Sequence, residues 1–209
     1  VREAMRLAVV GAGYVGLATA GSLVHLGHQV RVAEIDKRRL RALRAGTVPF
    51  TEPGLEDLVD HGLTCGRLTF WSDDRDAADG ADAVFVAVPT PPQEGGSADL
   101  SIVTAVLTRI ASVVTAPIPV VIRSSVPPGS AGALTGILRE AGSSAPLVIQ
   151  PEFLQEGQVV DNALYPSRVV VGSDDDAASR FVADLFGPLS APIVSCLLYT
   201  SDAADEEDS

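Results

Sequence analysis

The chain is poor in several residue types, and each shortage excludes something. It has two cysteines, Cys65 and Cys196, in 209 residues, with no C-x-x-C spacing. Neither a disulfide framework nor a zinc site is indicated, and no metal is expected. Basic residues are scarce: 15 Lys and Arg against 27 Asp and Glu leave a formal net charge of −12. Duplex binding is dominated by cations that neutralise phosphates, so nucleic acid is not expected as a partner. Long apolar runs are missing too. "RLAVVGAGYVGLATAGSLV" is broken by glycine and small residues, short of the roughly 20 consecutive apolar residues of a membrane span. The opening "VREAMRLAVV" shows no secretory h-region or cleavage site, and the expectation is a cytoplasmic protein with no membrane partner.

What is present is a 46% hydrophobic content, enough to bury a core at this length. "MRLAVV" is an apolar, branched run; "GAGYVG" turns; "LATAGSLVHLG" has helical spacing; "HQVRVAEI" alternates again. The rhythm recurs through "ADAVFVAV", "LSIVTAVLTRIASVV", "PVVIRSS", "AGALTGILREAG", "PLVIQ" and "SRVVVGS". Strands alternating with helices predict an α/β fold: a Rossmann-like, doubly wound, mostly parallel sheet with helices on both faces, over residues 5–195. Asp99 and Ser130 stand where helix N-caps are expected.

Gly11-Ala12-Gly13-Tyr14-Val15-Gly16 follows the first strand and opens a helix, and Glu34 ends the next strand at about the 20-residue separation of a dinucleotide fingerprint. Gly11 permits the tight turn, Gly13 lets backbone approach a pyrophosphate, and Gly16 lets helix pack close to strand. The first helical residues, Tyr14 and Val15 among them, offer free N–H groups to phosphate. Glu34 would accept from the adenosine ribose hydroxyls and repel a 2′-phosphate, which favours NAD over NADP. Arg39 joins the cofactor-binding candidates, because a nearby arginine is how a 2′-phosphate is accommodated; with Lys37 and Arg38 it also reads as a solvated helix face.

The stretch "IQPEFLQEGQVV" at residues 149–160 places Glu152 and Glu156 four apart. Alone, such a pair is most often solvated. "GAGYVGLATA", "EPGL" at Glu52–Leu55, "ADLS", "SSVPPG", "PEFLQEG" and "YPSRVVVG", taken in order, resemble the successive signatures of the UDP-glucose/GDP-mannose dehydrogenase family, N-terminal domain. The UDP-glucose branch fits best, with GDP-mannose as the alternative sugar. The resemblance implies oxidation of a sugar-nucleotide primary alcohol to a carboxylate by two hydride transfers to NAD, through a thioester on a cysteine. Carried over position by position, Glu152 is the general base or its electrostatic partner, Glu156 touches substrate and cofactor, and Glu152, Phe153 and Leu154 hold substrate. Ser125 stands where the family usually has a water-holding threonine, and Arg123 replaces a usual lysine. Ser124 is a cofactor contact, and Ala87–Pro91, "AVPTP", resembles the nicotinamide-side contact, with Thr90 its side chain. The full-length parent is expected to be a homo-oligomer.

Cys65, His25, His28, His61 and Trp71 receive no chemistry; the histidines read as helix or turn surface. The family continues after "APIV" into a helix with a lysine and an asparagine, then a second domain with the nucleophilic cysteine. Here the chain runs "CLLYTSDAADEEDS". Cys196 does not stand where that nucleophile stands. The expectations are therefore an inactive N-terminal fragment and, over residues 196–209, a non-native, disordered tail resembling a translated sequencing adapter. A stand-alone NAD-binding module is the competing reading. A 3-hydroxyacid dehydrogenase would share the early pattern but leave "PEFLQEG" unexplained.

Overall fold

A computed structural model describes residues 3–94 and 96–198. Its eight strands form one sheet in the order β3-β2-β1-β4-β5-β6-β7-β8. They are β1 (Arg6–Val10), β2 (Gln29–Ala33), β3 (Leu68–Trp71), β4 (Ala83–Val86), β5 (Val120–Ile122), β6 (Leu147–Ile149), β7 (Val169–Gly172) and β8 (Ile193–Cys196). Every neighbouring pair is parallel except β6 and β7, which meet antiparallel at Ile149 and Gly172. The helices are α1 (Tyr14–His25), α2 (Lys37–Arg44), α3 (Leu55–Thr64), α4 (Asp74–Ala78), α5 (Ser101–Ala111), α6 (Ser130–Glu140), α7 (Val159–Leu164) and α8 (Asp176–Phe186).

Helices cover both faces, so the central strands are buried on both sides and read as near-continuous Val, Ile and Leu runs. Alternate residues feed two cores: Leu7, Val9, Val30, Val32 and Val121 pack on one face with α1 and α8, and Ala8, Val10, Val84, Val86 and Ile122 on the other with α5 and α6. Helix α1 is buried continuously from Gly16 to Val24, as expected of a helix apolar all round.

Two features of the topology place the site. The chain leaves β1 toward β2 and β3 on one side and returns to β4 on the other, and the crevice at this reversal is where such sheets bind ligands. Because β7 runs antiparallel to β6, the connection between them need not recross the sheet. Residues 150–168, with α7, therefore stay at the C-terminal edge beside that crevice.

Three local expectations are corrected. Ser130 is the first residue of α6, behind a left-handed Gly129, and its hydroxyl donates to Pro127 O; Asp99 accepts from Ser101 N one residue ahead of the actual cap, Leu100. His28 is buried, with Nδ1 accepting from Met5 N at 3.2 Å. Strand β8 runs through Cys196, which pairs with Gly172, and Leu198 is buried in the α5–α6 core. Residues 199–209 of the expected tail lie outside the described residues.

Candidate functional site

At the β1–β4 crevice lies a cleft of 580 Å³ lined by the β1–α1 turn, Glu34, Ile35, Asp36 and Arg39 after β2, Ala87–Thr90 after β4, Ile102, Val106 and Arg109 of α5, and Arg123–Ser125 after β5. The three fingerprint glycines have three different reasons. Gly11 has φ +103°, and a Cβ there would meet Ala87 O at 2.4 Å. A Cβ on Gly16 would stand 1.9 Å from Gly11 O, so β1 and α1 could not approach as they do. Gly13 differs: its φ is −82°, ordinary for any residue, and beyond its chain neighbours no described atom lies within 4 Å of a Cβ built there. Neither strain nor packing within the chain asks for glycine at that position; an incoming ligand would. Helix α1 has no side-chain cap and no acidic residue in its first turn, leaving its N–H groups for an anion.

Glu34 is buried, with Oε1 accepting from Asp36 N at 2.8 Å and Oε2 from Arg39 Nη1 at 3.1 Å. A carboxylate has about four acceptor sites, so this fixes its orientation while leaving capacity for a diol. Arg39 thus reaches back to the cleft, while Lys37 and Arg38 are exposed. Ser124 Oγ accepts from Val88 N at 3.0 Å and donates to Val88 O at 2.7 Å; it shapes the β4 loop that carries Thr90. Ser125 is exposed at the cleft. Tyr14 packs on Phe50 with ring centroids 4.0 Å apart.

A second pocket of 180 Å³ adjoins the first, lined by Gln150–Leu154, Asn162, Tyr165, Arg168 and neighbours, and Arg123 lines both. Burial pushes the Arg123 guanidinium down to about 10 against the opposing pull of Glu152. Among the described residues its Nε and the Oε1 of buried Gln150 have no hydrogen-bond partner. Glu152 is half-buried, with Oε2 accepting from Leu154 N at 2.7 Å; Phe153 is exposed with Arg168 over its ring at 4.6 Å. Glu156 is exposed and lines neither pocket, so only one of the loop's two glutamates meets a pocket. Cys65 and Cys196 line neither, and no group of three metal-ligating side chains occurs among the described residues.

Sequence reasoning missed three residues. Arg109 donates Nε to buried Asp74 Oδ2 at 2.8 Å, pinning α5 to α4 at the cleft wall. Ile35 projects, exposed, at the cleft mouth. Glu52, buried, accepts from Gly157 N at 3.0 Å and Val159 N at 2.8 Å. Only for Glu52 was a signal at hand, since it opens the "EPGL" quoted above.

A doubly wound sheet with a glycine turn open to a ligand and an acidic residue closing the next strand defines a dinucleotide-binding domain. The chain matches the model of the UDP-glucose/GDP-mannose dehydrogenase family, NAD binding domain, over residues 5–190, and it belongs to that family; its cofactor is NAD. It is 40% identical over 190 residues to UDP-glucose 6-dehydrogenase of Pseudomonas aeruginosa, covering 88% of this chain and 42% of that protein. With UDP-glucose 6-dehydrogenase TuaD of Bacillus subtilis it shares 33% identity over 94% of this chain and 43% of that one. A UDP-glucose dehydrogenase structure from Pyrobaculum islandicum superposes with TM-score 0.93 at 32% identity, over 99% of this chain and 49% of that one. A GDP-mannose dehydrogenase ternary complex from Pseudomonas aeruginosa gives 0.92 at 27%, over 98% and 49%. The chain thus spans about half the length of the relatives it matches. A 3-hydroxyisobutyrate dehydrogenase of Mycobacterium tuberculosis, at TM-score 0.66 and 17% identity, shares the fold alone. No helix among the described residues is long and apolar enough to cross a membrane.

Proposed function

We propose that the chain is the cofactor-binding part of a cytoplasmic, NAD-dependent sugar-nucleotide dehydrogenase, with UDP-glucose favoured over GDP-mannose as substrate. The observation that carries the cofactor half is Gly13, which lines the cleft and where a Cβ has nothing within 4 Å beyond its chain neighbours. The substrate half rests on relatives named UDP-glucose 6-dehydrogenase and on the loop of Glu152, which adjoins the cofactor cleft through Arg123.

The residues fit the cofactor. Gly11–Gly16 would take the pyrophosphate on backbone N–H groups, Glu34 the ribose diol, Ile35 and Ile102 the adenine faces, and Thr90 with the Val88 backbone fixed by Ser124 the nicotinamide side. When bound, NAD supplies the hydride acceptor. Ser125, exposed at the cleft, would hold a water by its hydroxyl, and Glu152 would take that water's proton as general base. Glu156 lines neither pocket; its contact with substrate and cofactor would form once both are bound.

Calorimetric titration of the 209-residue chain tests the cofactor half: NAD should bind and NADP should bind more weakly, and equal affinities would remove the role of Glu34. For the substrate half, the chain completed by a relative's second half should oxidise UDP-glucose. There Glu152→Gln should slow hydrolysis of the acyl-enzyme by about 10²–10⁴-fold and make it visible by mass spectrometry; unchanged turnover would remove the base.

A further inference from the structure

Glu52 is a buried carboxylate, and among the described residues no lysine or arginine forms an ion pair with it. A carboxylate taken out of water is costly unless its lone pairs are satisfied. Here the compensation comes from Gly157 N, donating to Oε2 at 3.0 Å, and Val159 N, donating to Oε1 at 2.8 Å. These donors flank the start of α7, where N–H groups have no acceptor within the helix. Both oxygens are used, one for each N–H. An amide could match only one of them, because its nitrogen would turn a donor toward a donor.

The segment that carries Glu52 is itself anchored. Phe50 packs on Tyr14, the first residue of α1 and a wall of the cofactor cleft. Leu55 N donates to Glu52 O at 3.2 Å, and Gly54, at φ +76°, faces Val160 so closely that a Cβ built on it would stand 3.6 Å from Val160 Cγ1. At the other end, Gln155 N is tied to Asn162 Oδ1 and Phe153 to Arg168, contacts made within the β6–β7 excursion itself. Glu52 reaches that excursion from 105 residues earlier in the chain. We propose that Glu52 is a positioning residue: it fixes the loop Pro151–Gln158, and with it Glu152, against the cofactor cleft. The value of fixing Glu152 rests on the function proposed above; the fixing itself does not.

Amide hydrogen exchange by NMR on the 209-residue chain tests this, with the Arg123 guanidinium titrated by its carbon resonance in the same samples. In the wild type the Gly157 and Val159 amides should be protected; if they exchange as open loop amides do, the proposal is overturned without any variant. Glu52→Gln keeps the shape and loses one acceptor, so both amides should exchange about 10- to 100-fold faster while amides of β1 and β4 keep their rates. The loosened loop should also uncover Arg123 and raise its midpoint from about 10 toward the ordinary arginine value. A side chain that only fills space predicts a silent Glu52→Gln, and that outcome sinks the idea, as does loosening spread evenly over the domain. Glu52→Ala should enlarge the effect; where it does not fold, the isosteric variant decides. NAD titrated into the same wild-type sample separates the two readings, since failure to bind would reject the function and leave the exchange result standing.

Discussion

The turn Gly11–Gly16 and the loop Pro151–Gln158 lie on the same edge of one sheet, but different parts of the chain hold them. The turn is shaped by its neighbours: Gly11 N donates to Ala33 O at 3.0 Å, Leu17 N to Gly13 O at 2.9 Å, and Gly16 sits against Gly11 O. The loop is tied within its own excursion by Asn162 and Arg168, and to the earlier part of the chain by the buried Glu52. A region built from backbone and missing side chains is rigid and tolerates no added atom. A region hung on one buried carboxylate can shift while the domain stays folded, and that separability is what mutations can probe.

The largest effect is expected where the turn has no room at all. Gly16→Val would drive a Cβ into the backbone oxygen of Gly11, 1.9 Å away, and neither α1 nor β1 can retreat because both are buried in the same core. Destabilisation by more than about 3 kcal/mol is expected, at the severe end of overpacking, measured by urea unfolding. A folded, NAD-binding Gly16→Val protein would break the picture of a rigid turn. Gly13→Val is the contrasting case: stability should change by less than about 1 kcal/mol, since a Cβ there has nothing within 4 Å beyond its chain neighbours. NAD affinity should fall on the order of a hundredfold in calorimetry.

How much of this was readable follows the same division. The glycine turn, Glu34 and the parallel order of the first strands rest on short-range spacing, and the periodicity of "MRLAVV" or "ADAVFVAV" carries their burial directly. The antiparallel β7 was not legible, because "SRVVVGS" has the composition of a strand in either direction. Nor was it legible that only Glu152 of the two glutamates meets a pocket: spacing of four brings side chains together only on a helix, and residues 151–158 are a loop. The hydrogen bonds of Glu52 join residues more than a hundred positions apart, and no local pattern encodes such a pairing. His28 shows the same limit, since its ring accepts from Met5 N, 23 residues earlier and just before β1.

A smaller effect is expected at the outer end of the turn region. Glu34→Ser removes the carboxylate that Arg39 and Asp36 N now hold. NAD should bind about tenfold more weakly, the scale of one hydrogen bond to a charged group. The freed Arg39 becomes available to a 2′-phosphate, so NADP should gain and the NAD-to-NADP ratio should approach or pass unity. If NAD alone weakens and NADP does not improve, Arg39 serves only to orient Glu34.

The smallest effect is expected under the loop, and it depends on pH. Arg123 is an arginine whose burial lowers its pKa to about 10, with Glu152 only partly opposing. The folded chain therefore releases this proton more readily than the unfolded chain, whose arginine titrates at its ordinary, higher value. Between about pH 10 and that value the unfolded state binds more protons, so this group makes stability rise with pH; below about 10 both states are protonated and the burial penalty is constant. Arg123→Met keeps the length and removes the charge. It should stabilise the chain at pH 7 by about 1 kcal/mol, the low end of what replacing buried charge by apolar groups of similar size gives. That gain should shrink as the pH is raised through about 10, because the wild type then sheds the charge the variant never had. Paired urea melts at pH 7 and at about pH 11 measure the difference. A gain independent of pH would mean that Arg123 is solvated and the loop does not seal it, whereas the expected narrowing would mark Arg123 as a charge retained beside Glu152 at the expense of stability.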